Sequence, residues 1–450
     1  MPTGPGTGDR GPGTARRVPR INRHSVPSPR GLAIVAVAES RGEVPGLDPS
    51  MQQRRVLATL FAIVFADLVG FGIVIPLLPL YAEQYAPPGW AFGLLMASYS
   101  AMQFLFAPVL GRLSDRVGRR PVLLISLVGS VAGFVLFALA DSLALLFASR
   151  LLAGACGGNV GIAQAVIADV TPREQRARGM GMIGAAFGLG FIAGPALAGL
   201  LLPLGASAPG WAAATCSAVA LAMTVAFLPE TRHAGEAPAG PRSGVARIAA
   251  ALRRPGLAPL LGVGFAAIAG FAVFEVTFAQ FLHGRLGLDH RHVSFFFVYV
   301  GVLAALFQGG LVGPLTRRFG ERRLLFAGLG TIAAGLGLLA TARGLVPVVV
   351  LLALLSFGNG MTMPALPALV SHASSSDEQG LALGAYQGVG SLARVVGPFV
   401  AQVVLAEFGL GAPSLLAAAL ATAALAGLAL WTRRGRPARP SGMLGTPEAP

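Results

Sequence analysis

Twelve stretches of roughly 20 residues, almost free of charge, recur along this chain. Each matches the length a helix needs to cross a hydrocarbon layer of ~30 Å. They fall at about 56–80, 91–111, 121–140, 143–168, 179–204, 211–229, 257–282, 293–314, 324–342, 345–370, 382–407 and 413–432. A chain of 450 residues with 54% hydrophobic and only 12% charged side chains cannot clothe a water-facing globule, so its solvent is largely lipid. With 8% aromatics and 61 glycines, the stretches are rich in Gly, Ala, Leu and Val, which suits closely packed helices rather than a β-barrel. The fold class is all-α and integral to a membrane.

A formal net charge of +15 read without positions would suggest a nucleic-acid binder, but position removes that reading. All 34 basic residues are arginine, and most sit in short loops between apolar runs, where a positive-inside bias places them on the cytoplasmic face. When alternate loops are assigned to opposite sides, Arg285, Arg291 and Arg343 fall outside, Arg150 and Arg394 fall within helices, and every other arginine after Met51 falls inside. Both termini are then cytoplasmic, which requires an even number of spans. The loop after His372 departs from the pattern, with Asp377 and Glu378 but no arginine. Cys156 and Cys216 lie inside apolar runs without metal or redox spacing and read as small packing residues. His290-Arg291-His292 reads as a solvated loop, with metal binding or pH sensing as the alternative. Without lysine no Walker-type Gly-x4-Gly-Lys is possible, which argues against a self-contained ATP-driven pump; no cofactor or metal site is expected.

Residues 1–50, rich in Gly, Pro, Ser and Arg, read as a disordered N-terminal extension. The apolar part that starts at Gly31 sits near the lower limit of a signal-peptide h-region, and Met51, followed by Gln52, Gln53, Arg54 and Arg55, is an alternative start of translation. Residues 51–229 form a first six-helix bundle, 230–255 a cytoplasmic linker, 256–432 a second six-helix bundle and 433–450 a disordered cytoplasmic tail. The halves echo each other. The segment Gly111-Arg-Leu-Ser-Asp-Arg-Val-Gly118 returns as Gly313-Pro-Leu-Thr-Arg-Arg-Phe-Gly320, and Gly194-Pro195 returns as Gly397-Pro398, at displacements of 202 and 203 positions. Two unrelated landmarks at nearly one offset imply a duplicated unit, and parallel repeats of this kind place a substrate site between the halves.

Several polar residues interrupt the apolar runs. Asp67 lies in the middle of the first, where an acid costs on the order of 2.5–3.5 kcal/mol on insertion scales and so calls for a wet cavity or a partner. It is the leading candidate for carrying a proton, the alternative being a permanent salt bridge or polar contact. Glu275 is the other isolated acid; it binds a cationic substrate or a second proton, or pairs with Arg394 as a structural bridge. Gln103, Asn159, Gln164 and Arg394 are candidate cavity residues, the amides reading individually as interhelical hydrogen bonds. Between the second and third runs, the glycines of Gly111–Gly118 permit a tight turn, and Asp115 can meet a helix N-terminus or an arginine when the halves close on that side. A purely topogenic arginine cluster accounts for Arg119 and Arg120 but not for Asp115 and the glycines.

These residues resemble the major facilitator superfamily, specifically its twelve-helix drug/proton antiporter branch that includes tetracycline exporters, over about residues 51–435. Gly111-Arg-Leu-Ser-Asp115-Arg116-Val-Gly118-Arg119-Arg120 is similar to motif A, Arg150 through Asn159 to motif B, and the helix with Gly181, Gly190, Gly194, Pro195 and Gly199 to the antiporter motif C, with Ala198 at an often-glycine position. Asp67-Leu-Val-Gly70-Phe-Gly72 with Pro76 and Pro79 is similar to the first helix of the tetracycline branch. The resemblance implies two pseudo-symmetric six-helix bundles and a conformational latch built on Gly111, Asp115, Arg116, Gly118 and Arg119. It also implies a role for Arg150 in proton transfer, which a guanidinium can exert only electrostatically. In the second half Arg317 stands in place of Asp115, so the latch role is not carried over. The expected function is export of small amphipathic compounds by proton antiport, in a bacterial inner membrane and without a partner subunit. A proton-coupled uptake symporter or facilitator is the alternative, and a non-transporting membrane sensor is the rival from another class.

Overall fold

The computed structural model describes residues 49–171, 176–231, 244–374 and 378–433. The expected N-terminal extension up to residue 48, linker positions 232–243, the tail beyond Arg433 and Asp377 lie outside the described residues. The chain is helical throughout the described spans. The first half holds α1 (Pro49–Glu83), α2 (Gly89–Val117), α3 (Arg119–Ala138), α4 (Leu143–Ala155), α5 (Asn159–Val170), α6 (Arg176–Leu201) and α7 (Ala208–Phe227). A short α8 (Gly244–Leu252) precedes the second half: α9 (Ala258–Leu286), α10 (His290–Leu306), α11 (Val312–Phe319), α12 (Glu321–Thr341), α13 (Leu345–His372), α14 (Gln379–Phe408) and α15 (Ala412–Arg433).

Among the described residues, eleven helical stretches are long and apolar enough to cross a membrane. The twelfth expected span is present but interrupted: α10 runs through a π-turn, Phe307–Leu311, into α11. That turn contains the pair Gly309-Gly310, where the backbone has the freedom such a widened turn requires. The fourth span is a single helix by sequence but two in the structure. It breaks at Cys156-Gly157-Gly158, and in lipid the freed carbonyls need donors. Ser126 Oγ donates to the Cys156 carbonyl at 2.6 Å and Gln103 Nε2 to that of Gly157 at 2.8 Å. The break is therefore a built feature, tied to α3 and α2.

Four apolar clusters form the core, and none mixes the halves: two draw on residues between Val56 and Leu228, two on residues between Ile248 and Trp431. Two bundles thus stand side by side, touching mainly where α2 meets α14 and α6 meets α10. Contacts across the halves gather at one end. A Cβ on Gly93 would sit 2.7 Å from the Phe399 carbonyl oxygen, one on Gly89 2.6 Å from Ala406 Cβ, and one on Gly199 3.0 Å from Ser294 Cβ. Toward the other end, which carries Arg112–Arg120 and Arg317–Arg323, the same construction at Gly111, Gly181, Gly184, Gly188 and Gly313 meets nothing within 4 Å. The halves are sealed at one end and parted at the arginine-rich end.

Within the first half, α1 and α6 pack backbone to backbone. A Cβ on Gly194 would lie 2.6 Å from the Cα and carbonyl carbon of Gly72, and one on Gly190 2.8 Å from Leu68 Cβ. Between helices surrounded by lipid, such close approach supplies the dispersion contact that hydrophobic burial supplies in water. Because the obstructing atoms at Gly194 are backbone, no rotamer change makes room. Gly194→Ala is expected to lower stability by about 1–3 kcal/mol, whereas Gly181→Ala, facing open space, leaves it unchanged; thermal unfolding of the purified protein in detergent distinguishes the two.

Candidate transport site and latch

Asp67 lies on α1 and points into the first bundle. Asn159 Nδ2 donates to its Oδ2 at 2.8 Å and Ser217 Oγ to its Oδ1 at 3.2 Å. Asn159 opens α5 immediately after the break, so the interruption of the fourth span is what turns this amide toward α1. The same amide nitrogen also reaches Ser130 Oγ at 3.3 Å, while Asn159 Oδ1 is buried without a hydrogen-bond partner. Four helices thus converge on one carboxylate using neutral donors, and among the described residues no cation lies within 4 Å of it.

Arg150 does not pair with Asp67 in this structure. Its side chain is 2% exposed, its Nε donates to Ser149 Oγ at 3.3 Å, and its guanidinium lies over the rings of Phe137 and Phe134, 5.0 and 5.8 Å from their centroids. The cation is accommodated by aromatic faces and one hydroxyl, with Nη2 buried and unpartnered. Tyr99 on α2 stands within electrostatic range of both Asp67 and Arg150. Glu275 on α9 and Arg394 on α14 are electrostatic neighbours, yet no ion pair within 4 Å joins them. Gln103 spends its amide on the α4 break, as an interhelical bond rather than a free cavity group, and Gln164 is half-buried on α5.

The segment from Gly111 to Arg120 is more elaborate than a turn. Only Gly118 makes the turn, at φ +114°; Gly111 lies inside α2, which continues to Val117. Arg119 is not a surface arginine. It is 6% exposed, and its Nη1 donates to Asp115 Oδ1 at 2.7 Å and Ser114 Oγ at 3.0 Å, while its Nε donates to Asp169 Oδ2 at 2.9 Å. Asp115 is therefore held within its own half here, and the guanidinium fork ties α2, α3 and α5 together. Glu230, beyond α7, accepts from the backbone N–H groups of Arg119 at 2.8 Å and Arg120 at 3.1 Å, so a carboxylate caps the N-terminus of α3. A Cβ on Gly118 would approach Glu230 Oε2 to 2.5 Å, so glycine is required both by φ and by the cap.

Asp169, Glu230, Ser217 and Tyr99 escape a reading of sequence alone. Glu230 stands at the start of what reads as a polar linker, and Asp169 at the end of an apolar run, both ordinary places for a solvated acid. The internal repeat carries a signal: at a displacement of 203, Asp169 and Glu230 correspond to His372 and Arg433, so the second half lacks all three acids that surround Arg119. At the opposite end, Asp289 accepts from the His292 N–H at 2.8 Å and caps α10, a bond that holds its exposed carboxyl below the usual range. Among the described residues no group of three or more His, Cys, Asp or Glu side chains is suited to a metal.

A family model described as "Major Facilitator Superfamily" matches residues 60–342 and again 260–448. The chain belongs to the major facilitator superfamily. As a member it is a multi-pass membrane transporter of small molecules and not an enzyme. It is 34% identical over 368 residues to the "Tetracycline resistance protein, class C" of Escherichia coli, covering 79% of this chain and 91% of that protein. The class G protein of Vibrio anguillarum is 36% identical over 358 residues, 77% of this chain and 89% of that one. Among solved structures, the human organic anion transporter MFSD10 (TETRAN) superposes with a TM-score of 0.67 at 28% identity, covering 84% of this chain and 99% of that one. The two overlapping family matches fit the duplicated architecture.

Removing the charge of the cap while keeping its shape, Glu230→Gln, is expected to cost about 1 kcal/mol, read as a lower thermal midpoint. Gly118→Ala, which meets both the positive φ and the carboxylate, is expected to lose more, read as reduced folded yield in membranes.

Proposed function

We propose that this chain exports small amphipathic organic compounds in exchange for protons, by alternating access of its two bundles. The observation that carries this reading is the one-sided parting of the halves, sealed where Gly93 meets Phe399 and open at the arginine-rich end. That is one end state of a rocking cycle. With the arginines inside, the open face and both termini are cytoplasmic, in a bacterial inner membrane. The monomer is the working unit of this proposal. The names of the tetracycline resistance relatives support export over uptake.

Asp67 is the proton carrier in this reading. Its partners are neutral donors, which are released at less cost than a salt bridge. When the carboxyl is protonated, its O–H needs an acceptor, and the unpartnered Asn159 Oδ1 becomes one by rotation of the amide. Arg150 acts in this reading at a distance, by its charge, rather than by pairing. Asp115, bound to Arg119, is the latch in this reading.

Closure of the arginine-rich end has a structural obstacle. Gly388 and Ala406 lie five turns apart on one face of α14, and Ala406 packs on α2. At Gly388 that face is occupied by Ile248 of α8, 2.9 Å from where a Cβ would be, and Arg254 pairs with Glu378 just before α14. For α2 to meet α14 along its whole length, α8 must leave. Ile248→Ala is thus expected to shift the population toward the closed form, lowering the labelling rate of a single cysteine at the exposed Ala107, which lies on the same face of α2 as Gly89, in a cysteine-free background.

The proposal is tested by efflux from energised cells at matched membrane levels. Wild type is expected to lower drug and dye accumulation, a protonophore to abolish the difference, and Asp67→Asn to reduce efflux by at least ~10-fold, about 1.4 kcal/mol. Accumulation raised rather than lowered by the wild type would favour the uptake symporter.

A further inference from the structure

We propose that the opening between the halves anchors its substrate by an anionic group, at Arg394, against an aromatic wall built from Tyr99, Phe71 and Phe191. The ligand class is a planar aromatic organic anion. This deepens the transporter reading of the same opening and rests on it.

The position of Arg394 follows from the antiparallel packing of α2 and α14. Gly89 meets Ala406 and Gly93 meets Phe399, so one step further toward the parted end the same register brings Tyr99 and Arg394 to one level of the fold. The two are electrostatic neighbours across the halves. Arg394 is partly buried, and among the described residues no carboxylate lies within 4 Å of its guanidinium, although Glu275 is within electrostatic range. A guanidinium offers five N–H donors in a fixed fork matched to carboxylate, sulfonate or phenolate oxygens. Held away from water without such a partner it is costly, and an arriving anion removes that cost.

The wall comes from the first half. Tyr99 and Phe71 have ring centroids 5.1 Å apart, tilted at 41°, and Phe71 meets Phe191 edge-on at 6.2 Å. These rings belong to α2, α1 and α6, and all three are only partly buried. Phe191 also stands at the other junction of the halves, since its carbonyl oxygen is 3.2 Å from the Cβ position of Gly301. The aromatic surface therefore spans the apex of the opening from one interface to the other, and the cation stands at the level of Tyr99 in the second half. A ligand bridging both would touch both moving parts, as a coupled substrate must. A cationic ligand would have to reach Glu275 against the field of Arg394, which disfavours it.

The test uses two dyes on one xanthene frame: fluorescein, a dianion, and rhodamine 6G, a cation. Binding to the full chain in detergent is followed by fluorescence anisotropy. Wild type is expected to bind fluorescein saturably, Arg394→Gln to weaken it at least ~10-fold without weakening rhodamine 6G, and Arg394→Lys to restore part of the loss. Tyr99→Leu is expected to weaken fluorescein with Arg394 intact, so the inference stays testable if Arg394→Gln fails to run as a monodisperse species. Absence of saturable fluorescein binding, preference for rhodamine 6G, or Arg394→Gln and Tyr99→Leu proteins that bind fluorescein like wild type would each overturn it. Fluorescein binding without efflux from cells would sink the transporter reading while leaving the anion site standing.

Discussion

Hydrocarbon offers a polar group no partner, so each one that enters a spanning segment must find its partner in protein. The architecture of the first bundle follows from that demand. The break in the fourth span frees carbonyls that Ser126 and Gln103 satisfy; the break turns Asn159 toward Asp67; and Asp67 in turn draws Ser217 from α7. Remove any link and a donor or acceptor is left facing lipid or apolar side chains. The network thereby fixes the lateral placement of α1, α3, α5 and α7 more tightly than apolar contact alone, which carries little directional preference between helices in a bilayer.

The two halves satisfy the same demand with different charges. Around α3, Asp115, Asp169 and Glu230 surround one buried arginine and a helix N-terminus. Around α12 the corresponding positions hold Arg317, His372 and Arg433, with Glu321 where Arg119 stands. One half is thus locked internally by attraction, while the other presents basic side chains outward. A duplicated unit has diverged most at the arginine-rich end, where the halves part, and least in its helix order. Close backbone packing shows the same division of labour: Gly72 and Gly194 weld α1 to α6 within a half, whereas Gly93 and Gly199 form contacts across halves that a rocking motion must break.

Much of the candidate site was legible in sequence because its members are expensive. An acid in mid-span announces itself, so Asp67, Glu275, Arg150 and Arg394 stand out against apolar neighbours. Ser130 and Ser217 do not, since a short hydroxyl in a membrane helix can satisfy itself on its own backbone, and Tyr99 does not, since its ring is at home among apolar neighbours. Asp169 and Glu230 sit at segment ends, where an acid is cheap and water is the default partner. The reading of Gly111 as part of the turn failed for a related reason: glycine is compatible with both a turn and a helix interior, and only the backbone conformation, with its positive φ at Gly118, separates them.

By itself the sequence determined the number of spans, the duplication and the loops that carry the charged motifs, because hydropathy and backbone hydrogen bonding are satisfied locally, segment by segment. Tertiary structure alone decided that Asp67 meets amide and hydroxyl rather than Arg150, that Arg119 is buried among acids, that α8 lies on the face of α14, and which end of the molecule is open. Those outcomes depend on how each helix is rotated about its axis and which helix stands beside it. Segments of equal length and hydropathy carry no record of either, so the choice is made by the few side chains that must find one another.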